Sequence, residues 1–332
     1  MPLVTVITTF YNAEQTIEAA VESVLSQTFE DFEYILIDDG SSDRSNSIIK
    51  TFKDNRIRLI GPERLGRVKS LNLALENAKG DYICILDADD ISYRERIEKQ
   101  LAVFKENENL ALVFGNASLI DEDSNVVGKT LFPIDHDSVE KSLLSLNPFP
   151  HSSVMFNREI ILSIGGYNEK CLKSIDFNLY IELLINKKML LGISEPLIYL
   201  RESPNTWGKS DDSATQIFFG ILALLSLYFF RKTGKNILRS SDHEWQEILS
   251  TYTNWFRMKR FKDKSNAKKT FYASRYSLKR GEILRAIKFL FISLSTDPFF
   301  WTYRGVNFRF EDASEEFFHL YNSELFRILK LK

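Results

Sequence analysis

Short apolar runs alternate with stretches of helical periodicity over the first 115 residues of the chain. Runs of this kind are typical of buried parallel strands, which lie between covering helices. The predicted strands are Leu3–Phe10, Glu33–Asp39, Ile57–Ile60, Tyr82–Asp90 and Ala111–Gly115. The predicted helices are Ala13–Gln27, Ser41–Lys53, Val68–Ala78 with Gly80 as a left-handed C-cap, and Asp90–Glu106. This alternation predicts an α/β fold, a mostly parallel sheet with helices on both faces.

The alternation loosens after Gly115. A polar turn, DEDSN, predicts a hairpin over Ser118–Thr130. The further predicted elements are helices Val139–Leu146, Ile160–Ile164 and Phe177–Ile185, and strands Ser153–Phe156 and Leu197–Leu200. From about Asp211 onward the pattern is almost entirely helical and rich in aromatic residues. Pro204, Gly208 and the polar run KSDDS interrupt the periodicity, so we predict an α/β domain at 1–208 and a helical, basic region at 209–332.

The composition is that of a globular protein with an ample core, since 44% of the 332 residues are apolar and the net charge is -2. Two isolated cysteines, Cys84 and Cys171, form no disulfide framework, so a reducing cytoplasm is expected. The N-terminal residues lack the features of a signal peptide. The longest apolar run, Ile217–Phe230, is shorter than the about 20 residues that a membrane-spanning helix needs, so we expect a buried helix rather than an interfacial one.

Charge is distributed unevenly along the chain. Residues 1–230 contain 22 basic and 34 acidic residues, whereas residues 231–332 contain 21 and 11. The basic excess is concentrated in Arg257–Lys288, which has twelve basic and two acidic residues interleaved with aromatic ones. Such a segment is either a solvated helix face or a contact with an anionic membrane, where each basic residue contributes about 1 kcal/mol. Charge alone would also allow nucleic-acid binding.

Three carboxylates end the strand in ILDADD, at Asp87, Asp89 and Asp90. Clustered charge at the end of an apolar strand is costly without a cation or strong donors. Mn²⁺ or Mg²⁺ favours one or two carboxylates together with phosphate oxygens, so the cluster predicts a divalent metal and a nucleotide diphosphate. A helix N-cap would explain Asp90 but not the other two residues.

A second polar group, IDDGSSD, follows the second predicted strand. Asp38, Asp39 and Gly40 offer acceptors and a flexible turn, and the serines can expose backbone amides at a helix start. A carboxylate here could bind the imide edge of a uracil or a ribose hydroxyl. Alone, the pattern is equally typical of a capped strand–turn–helix connection.

Taken together, the motifs resemble those of family 2 glycosyltransferases. They are TTFYN (Thr8–Asn12), SVLSQTFEDFEYILIDDGSSD (Ser23–Asp43), LGRVKSLNLALENAKGDYICILDADD (Leu65–Asp90) and GGYNE (Gly165–Glu169), in order over about the first 200 residues. The resemblance implies a GT-A fold with a Rossmann-like sheet, an inverting single displacement, a nucleoside-diphosphate-sugar donor, most simply a UDP-sugar, and a divalent metal.

The resemblance also implies roles for individual residues. Nucleotide and diphosphate contacts are expected from Thr8, Phe10, Asn12, Asp39, Lys69 and Asn72, with Asp39 at the base. Asp87 is expected at the ribose or a metal-bound water, and Asp89 at the metal. His151, in FPHSSVMF, matches a position near the metal or pyrophosphate.

The catalytic base is expected at Asp176, ahead of FNLYIELL. The family usually has a Glu-Asp pair there, but this chain has Ile175 in place of the Glu. Without the resemblance, Asp176 would be interpreted as a helix N-cap. A base at this position would take the proton of the attacking hydroxyl.

The expected reaction builds a bacterial surface polysaccharide or glycolipid, on a saccharide or lipid-linked acceptor. The expected location is cytoplasmic, with peripheral contact to the inner face of the plasma membrane through Arg257–Lys288, and nucleic acid is not expected as a partner. Two alternatives remain. A sugar-nucleotide-forming nucleotidyltransferase usually has a glycine-rich loop after its first strand, where this chain has TTFYNAEQ. An inactive nucleotide-sugar-binding module would fit the substitution at Ile175.

Overall fold

The structure is a computed structural model that describes residues 1–107, 109–144, 149–202 and 213–258. The chain divides after Glu202 into two compact units, which are described separately. The predicted boundary at 208/209 lies outside the described residues. Residues from 259 onward, which form most of the basic segment Arg257–Lys288, also lie outside the described residues. The side chains of Arg257 and Met258 are not described either.

The first unit contains nine strands and seven α-helices among its described residues. The strands are β1 Val4–Phe10, β2 Phe32–Asp38, β3 Ile57–Ile60, β4 Tyr82–Ile85, β5 Ile91–Ser92, β6 Leu110–Ile120, β7 Val126–Lys129, β8 Met155–Asn157 and β9 Met189–Arg201. The helices are α1 Ile17–Leu25, α2 Ser45–Ile49, α3 Arg67–Asn77, α4 Arg96–Lys105, α5 His136–Leu144, α6 Arg158–Ser163 and α7 Ile175–Ile185. A short 3₁₀ helix spans His151–Ser153.

The strands form one mixed sheet in the order β3-β2-β1-β4-β8-β6-β9-β5, with β7 paired to β6. The block β3-β2-β1-β4 is entirely parallel. Strand β8 lies antiparallel between β4 and β6, and β9 runs parallel to β6. The carboxyl ends of β1, β2 and β4 therefore meet at one edge, where open α/β sheets bind their ligands.

Strands β1 and β2 are apolar along most of their length because both faces of the sheet are covered. Every residue of β2 is buried, and β1 has a single half-buried position. Helix α1 packs against this core through Ile17, Ala20, Val21 and Val24, which share one helix face.

The prediction of one helix over Asp90–Glu106 is wrong in its first part. Ile91 and Ser92 form strand β5, which pairs antiparallel with Tyr199 and Ile198 of β9, and α4 begins only at Arg96. The predicted strand Leu197–Leu200 is present, but it is only the end of the longer strand β9. Pairing between residues about a hundred positions apart leaves no mark in a local pattern.

Gly80 is not the left-handed cap that was predicted. Helix α3 ends at Asn77 and the following Ala78 is extended. A Cβ on Gly80 would lie 2.5 Å from the backbone N of Thr5 and 2.5 Å from the carbonyl carbon of Val4. The glycine is required because the chain passes directly against β1 as it enters β4.

The second unit contains helices α8, Ser213–Thr233, and α9, Asp242–Met258, with a 3₁₀ turn at Ile237–Arg239. The middle of α8, from Ile221 to Leu225, is at most 1% exposed, in agreement with the prediction of a buried helix. Tyr252 of α9 donates a hydrogen bond to the carbonyl of Phe218 at 2.7 Å. Within the described part of the chain, no helix has the length and apolarity needed to span a membrane.

Candidate active site

The acidic cluster Asp87, Asp89 and Asp90 follows β4, which ends at Ile85. One carboxylate oxygen of each residue lies within 4.8 Å of the others, although Asp87 is half-buried, Asp89 exposed and Asp90 buried. Asp90 is held by the end of β9, because its Oδ1 accepts a hydrogen bond from the backbone N of Arg201 at 2.9 Å. Asp90 therefore belongs to the cluster and does not cap a helix.

Charge repulsion shapes the protonation of this cluster. Burial raises the pKa of Asp90 well above its ordinary value, and the charges of Asp89 and Asp87 add to the effect. Desolvation by surrounding protein atoms and the charge of Asp87 also raise the pKa of Asp89. Burial acts in the same direction on Asp87, but the Arg67 guanidinium and other partners outweigh it, so the pKa of Asp87 is lowered. An oxygen cluster with this excess of negative charge has the chemistry that a hard divalent cation prefers.

Arg67 was not among the predicted site residues. Its Nη2 donates to Oδ1 of Asp87 at 2.6 Å. The charge of Asp87, and further those of Asp176 and Asp89, raise the pKa of Arg67, so its guanidinium lies among these carboxylates. Lys69, the predicted diphosphate residue, is exposed and has no hydrogen bond or ion pair to any described residue. Because α3 starts at Arg67, both Arg67 and Lys69 belong to the helix. Two positions along a helix correspond to a rotation of about 200°, so the two side chains point in different directions.

The end of β2 holds the start of α3. Oδ1 of Asp39 accepts hydrogen bonds from the backbone N of Leu65 and of Gly66, each at 2.8 Å, and from Ser70 at 3.2 Å. Asn12 is exposed, and its Oδ1 accepts from the backbone N of Ser42 at 2.8 Å. Both predicted nucleotide residues thus lie at the strand ends and organise the loops there.

Thr8 and Phe10, which were predicted to line the nucleotide, are both buried in the first unit. Thr8 is fully buried, and its Oγ1 donates to the carbonyl of Leu86 at 2.8 Å. Phe10 is 3% exposed and packs in the hydrophobic core. Because β1 is covered on both faces, its side chains stabilise the core, and the chain first reaches the surface at Tyr11 and Asn12.

Asn72, which was predicted near the nucleotide, is hydrogen-bonded to the backbone of Tyr167. Its Nδ2 donates to the carbonyl of Tyr167 and its Oδ1 accepts from the backbone N of Tyr167, both at 2.9 Å. The side-chain amide thereby fixes the GGYNE loop to α3.

His151 bridges two tyrosines. Its Nε2 lies 2.9 Å from the hydroxyl of Tyr167, and its Nδ1 lies 3.1 Å from that of Tyr180. Burial lowers the pKa of His151, so the ring is neutral at pH 7. With both ring nitrogens engaged, the predicted contact with a metal would require one of these hydrogen bonds to break. The GGYNE motif contains Tyr167, but nothing in the sequence pairs it with a histidine sixteen residues earlier.

Asp176 lies in the first turn of α7 and is half-buried. The residue at the N-cap position is Ser174, so Asp176 is not the cap. Its charge acts on the pKa of both Arg67 and His151, and it therefore faces the same region as the acidic cluster. Ile175, which replaces the acid expected before it, is 8% exposed and contributes to the core.

The parallel strand edge, the acidic cluster and the facing carboxylate together form a candidate active site at the place that the sequence motifs predict. Residues 5–163 match the family described as "Glycosyl transferase family 2". An uncharacterized glycosyltransferase, MJ1057, of Methanocaldococcus jannaschii is 34% identical over 207 residues, which are 60% of this chain and 71% of that protein. The chain therefore belongs to glycosyltransferase family 2 and is a sugar-transferring enzyme.

Two further proteins extend the comparison. The UDP-Glc:alpha-D-GlcNAc-diphosphoundecaprenol beta-1,3-glucosyltransferase WfgD of Escherichia coli is 39% identical over 132 residues, which are 40% of this chain and 51% of that enzyme. The mannosyltransferase PcManGT from Pyrobaculum calidifontis, solved in complex with GDP-Man and Mn2+, superimposes with a TM-score of 0.54. It is 16% identical, and the match covers 100% of this chain and 88% of that one. The fold is GT-A.

Proposed function

We propose that the protein is an inverting glycosyltransferase that moves a sugar from a UDP-sugar to a hydroxyl of a polysaccharide or lipid-linked saccharide. The observation that supports this most strongly is the arrangement of the acidic cluster, Asp87, Asp89 and Asp90, with Asp176 and Arg67 among the same charges. The name of WfgD specifies a UDP-Glc donor and a diphosphoundecaprenol-linked acceptor, which supports the donor and acceptor classes.

The nucleotide is assigned to the loops after β1 and β2. Asn12 is exposed at the first of these, and Asp39 at the second has Oδ2 without a hydrogen bond from any described residue. A carboxylate oxygen at this position can accept the imide N–H of a uracil. The assignment of Lys69 to the diphosphate stays a prediction.

A divalent metal, Mn²⁺ or Mg²⁺, fits the acidic cluster. Asp89 is the exposed member and would be a direct ligand, with Asp87 as a second ligand or a partner of bound water. The donor set consists of oxygen atoms with excess negative charge, which suits either ion. A bound ion would neutralise charge that develops on the departing diphosphate.

The reaction is a single displacement at the anomeric carbon. The acceptor oxygen forms a bond to that carbon as the bond to the diphosphate oxygen breaks, and UDP leaves. Asp176 takes the acceptor proton. Its place in the first turn of α7 leaves the carboxylate half-exposed, so an acceptor hydroxyl can reach it. No covalent intermediate is required, so the anomeric configuration inverts.

A panel of nucleotide sugars tests this function. We expect release of UDP from at least one of UDP-glucose, UDP-galactose and UDP-N-acetylglucosamine with Mn²⁺ or Mg²⁺, and loss of release with EDTA. GDP-mannose serves as the comparison donor for base selectivity. Consumption of no donor, or equal release with EDTA, would contradict the proposal.

Contact with an anionic membrane is proposed for the segment Arg257–Lys288, from its twelve basic and two acidic residues. Attraction between exposed charges is screened over about 8 Å at physiological ionic strength, so binding to anionic vesicles should fall steeply with salt. Co-sedimentation with neutral and anionic vesicles at low and high salt measures this. Changing Lys259, Arg260, Lys268 and Lys269 to Glu should abolish binding and leave donor hydrolysis in solution unchanged.

A matched control changes four exposed lysines of the first unit to Glu, namely Lys50, Lys53, Lys105 and Lys129. This variant has the same net charge as the test variant and should still bind anionic vesicles. Equal sedimentation with neutral and anionic vesicles, or equal loss of binding in both variants, would contradict a charge-driven membrane contact through this segment.

A further inference from the structure

Arg67 forms an ion pair with the acidic cluster. Its Nη2 lies 2.6 Å from Oδ1 of Asp87, a distance typical of a strong charge-assisted hydrogen bond. The Arg67 side chain is 49% exposed and that of Asp87 is 27% exposed. The guanidinium is thus accessible from solvent, and a ligand that enters the site would meet it.

The backbone at the start of α3 is held by hydrogen bonds, although the side chain of Arg67 is about half exposed. Asp39 accepts hydrogen bonds from the backbone N of Leu65 and of Gly66, the two residues immediately before α3. Gly66 has a φ of 85°, which favours glycine and turns the chain into the helix at Arg67. The backbone that carries the guanidinium is therefore fixed by Asp39, the carboxylate that we propose to bind uracil.

The guanidinium groups of two other arginines near the cluster donate hydrogen bonds mainly to backbone carbonyls. The guanidinium of Arg201 donates to the carbonyls of Asp89, Asp121 and Glu122. The buried guanidinium of Arg96 donates to carbonyls in the strand layer and to a glutamine. Among the described residues, Arg67 is the arginine whose guanidinium binds a carboxylate of the cluster.

We propose that Arg67 is an internal counter-cation that competes with the divalent metal for Asp87. In the donor-free enzyme the guanidinium neutralises part of the cluster and disfavours a metal ion bound alone. When a nucleoside diphosphate binds together with the metal, its phosphate oxygens accept hydrogen bonds from the guanidinium of Arg67. The planar arginine side chain is well suited to this contact. Metal and diphosphate then bind as a cooperative pair. This inference rests on the proposed function, because it requires the metal at Asp89 and Asp87.

The test measures binding of Mn²⁺ alone to the full chain, by the electron paramagnetic resonance signal of free Mn²⁺. Arg67→Gln should tighten the Kd for Mn²⁺ without nucleotide by at least about tenfold, because a cation within a few ångströms of the ion is removed. It should also reduce the factor by which UDP tightens Mn²⁺ binding, because in this proposal Arg67 is the group that couples the binding of the two ligands.

The matched control is Arg64→Gln. Arg64 lies in the loop just before α3, is exposed, and its guanidinium lies 3.9 Å from the centre of the Tyr11 ring, so the change removes the same charge without touching Asp87. Its Kd for Mn²⁺ alone should stay close to that of the unmodified protein. Equal tightening in both variants would indicate a general charge effect and overturn the proposal, as would no change in Arg67→Gln.

A third variant separates this inference from the proposed function. Combining Arg67→Gln with Asp89→Asn should abolish the tightened Mn²⁺ binding. If Mn²⁺ binding is unaffected by Asp89→Asn in every background, the metal assignment fails and the inference with it. If binding depends on Asp89 but Arg67→Gln leaves it unchanged, the metal assignment stands and the competition by Arg67 is refuted.

Discussion

Asp176→Asn should lower kcat by roughly 10²–10⁴-fold, the usual contribution of a positioned general base, while the Kd for the donor changes little. The amide of asparagine has nearly the same shape as the carboxylate but cannot take the acceptor proton. Asp176 is not the cap of α7, so the substitution should not unfold the helix. Single-turnover kinetics with the donor at saturation, together with donor binding by calorimetry, separate the two effects.

The matched control is Asp137→Asn. Asp137 lies in the first turn of α5, and its side chain is exposed, so the same charge is lost at an equivalent helix position. This variant should transfer sugar at close to the unmodified rate. Should Asp176→Asn retain kcat within a few-fold, the base would have to be another residue and Asp176 would serve only the helix.

Asp89→Asn should abolish the metal-dependent binding of UDP. Asp89 is the exposed carboxylate of the cluster, and an amide in its place removes a negative charge from the ligands of a hard cation. Only the metal-dependent part of the affinity should be lost, because contacts with the base are assigned to Asn12 and Asp39, which lie on other loops. Asp81→Asn is the matched control, an exposed aspartate just before the start of β4.

Much of the fold could be predicted because β1 to β4 are apolar runs separated by helices with clear periodicity. Such local patterns identify strands that are buried on both faces. The second half of the sheet was harder to predict. Strand β9 extends from Met189 to Arg201, but it is interrupted by exposed Ser194 and Glu195, so only its apolar end was recognised. Its pairing with β5 depends on tertiary contacts that a local pattern does not contain.

The positions of the site loops followed from the motifs, but the contacts of individual side chains did not. Asp87 and Asp89 lie together as expected. Asn72 and His151 were expected to bind ligands, yet each is already hydrogen-bonded to tyrosine groups of the fold. Motif positions indicate which residues lie near a site, whereas hydrogen bonding over long sequence separations decides which side chains are available there.

Arg67 shows the converse limit. The motifs indicated Lys69 as the cation near the diphosphate, and the start of α3 was predicted one residue after its true start at Arg67. A helix rotates by about 100° per residue, so cations two positions apart point in nearly opposite directions. Which of them faces the acidic cluster depends on where the helix begins, and that is fixed by Asp39, which holds the backbone before the helix from the end of β2.

The measurement that tests the central claim most directly is a calorimetric titration of UDP into the protein with Mn²⁺ and with EDTA. We expect Mn²⁺ to tighten UDP binding strongly in the unmodified protein and in Asp81→Asn, and to leave the weak binding by Asp89→Asn unchanged. Metal-dependent affinity that is the same in Asp89→Asn as in the unmodified protein would contradict the assignment of the acidic cluster as the metal and diphosphate site.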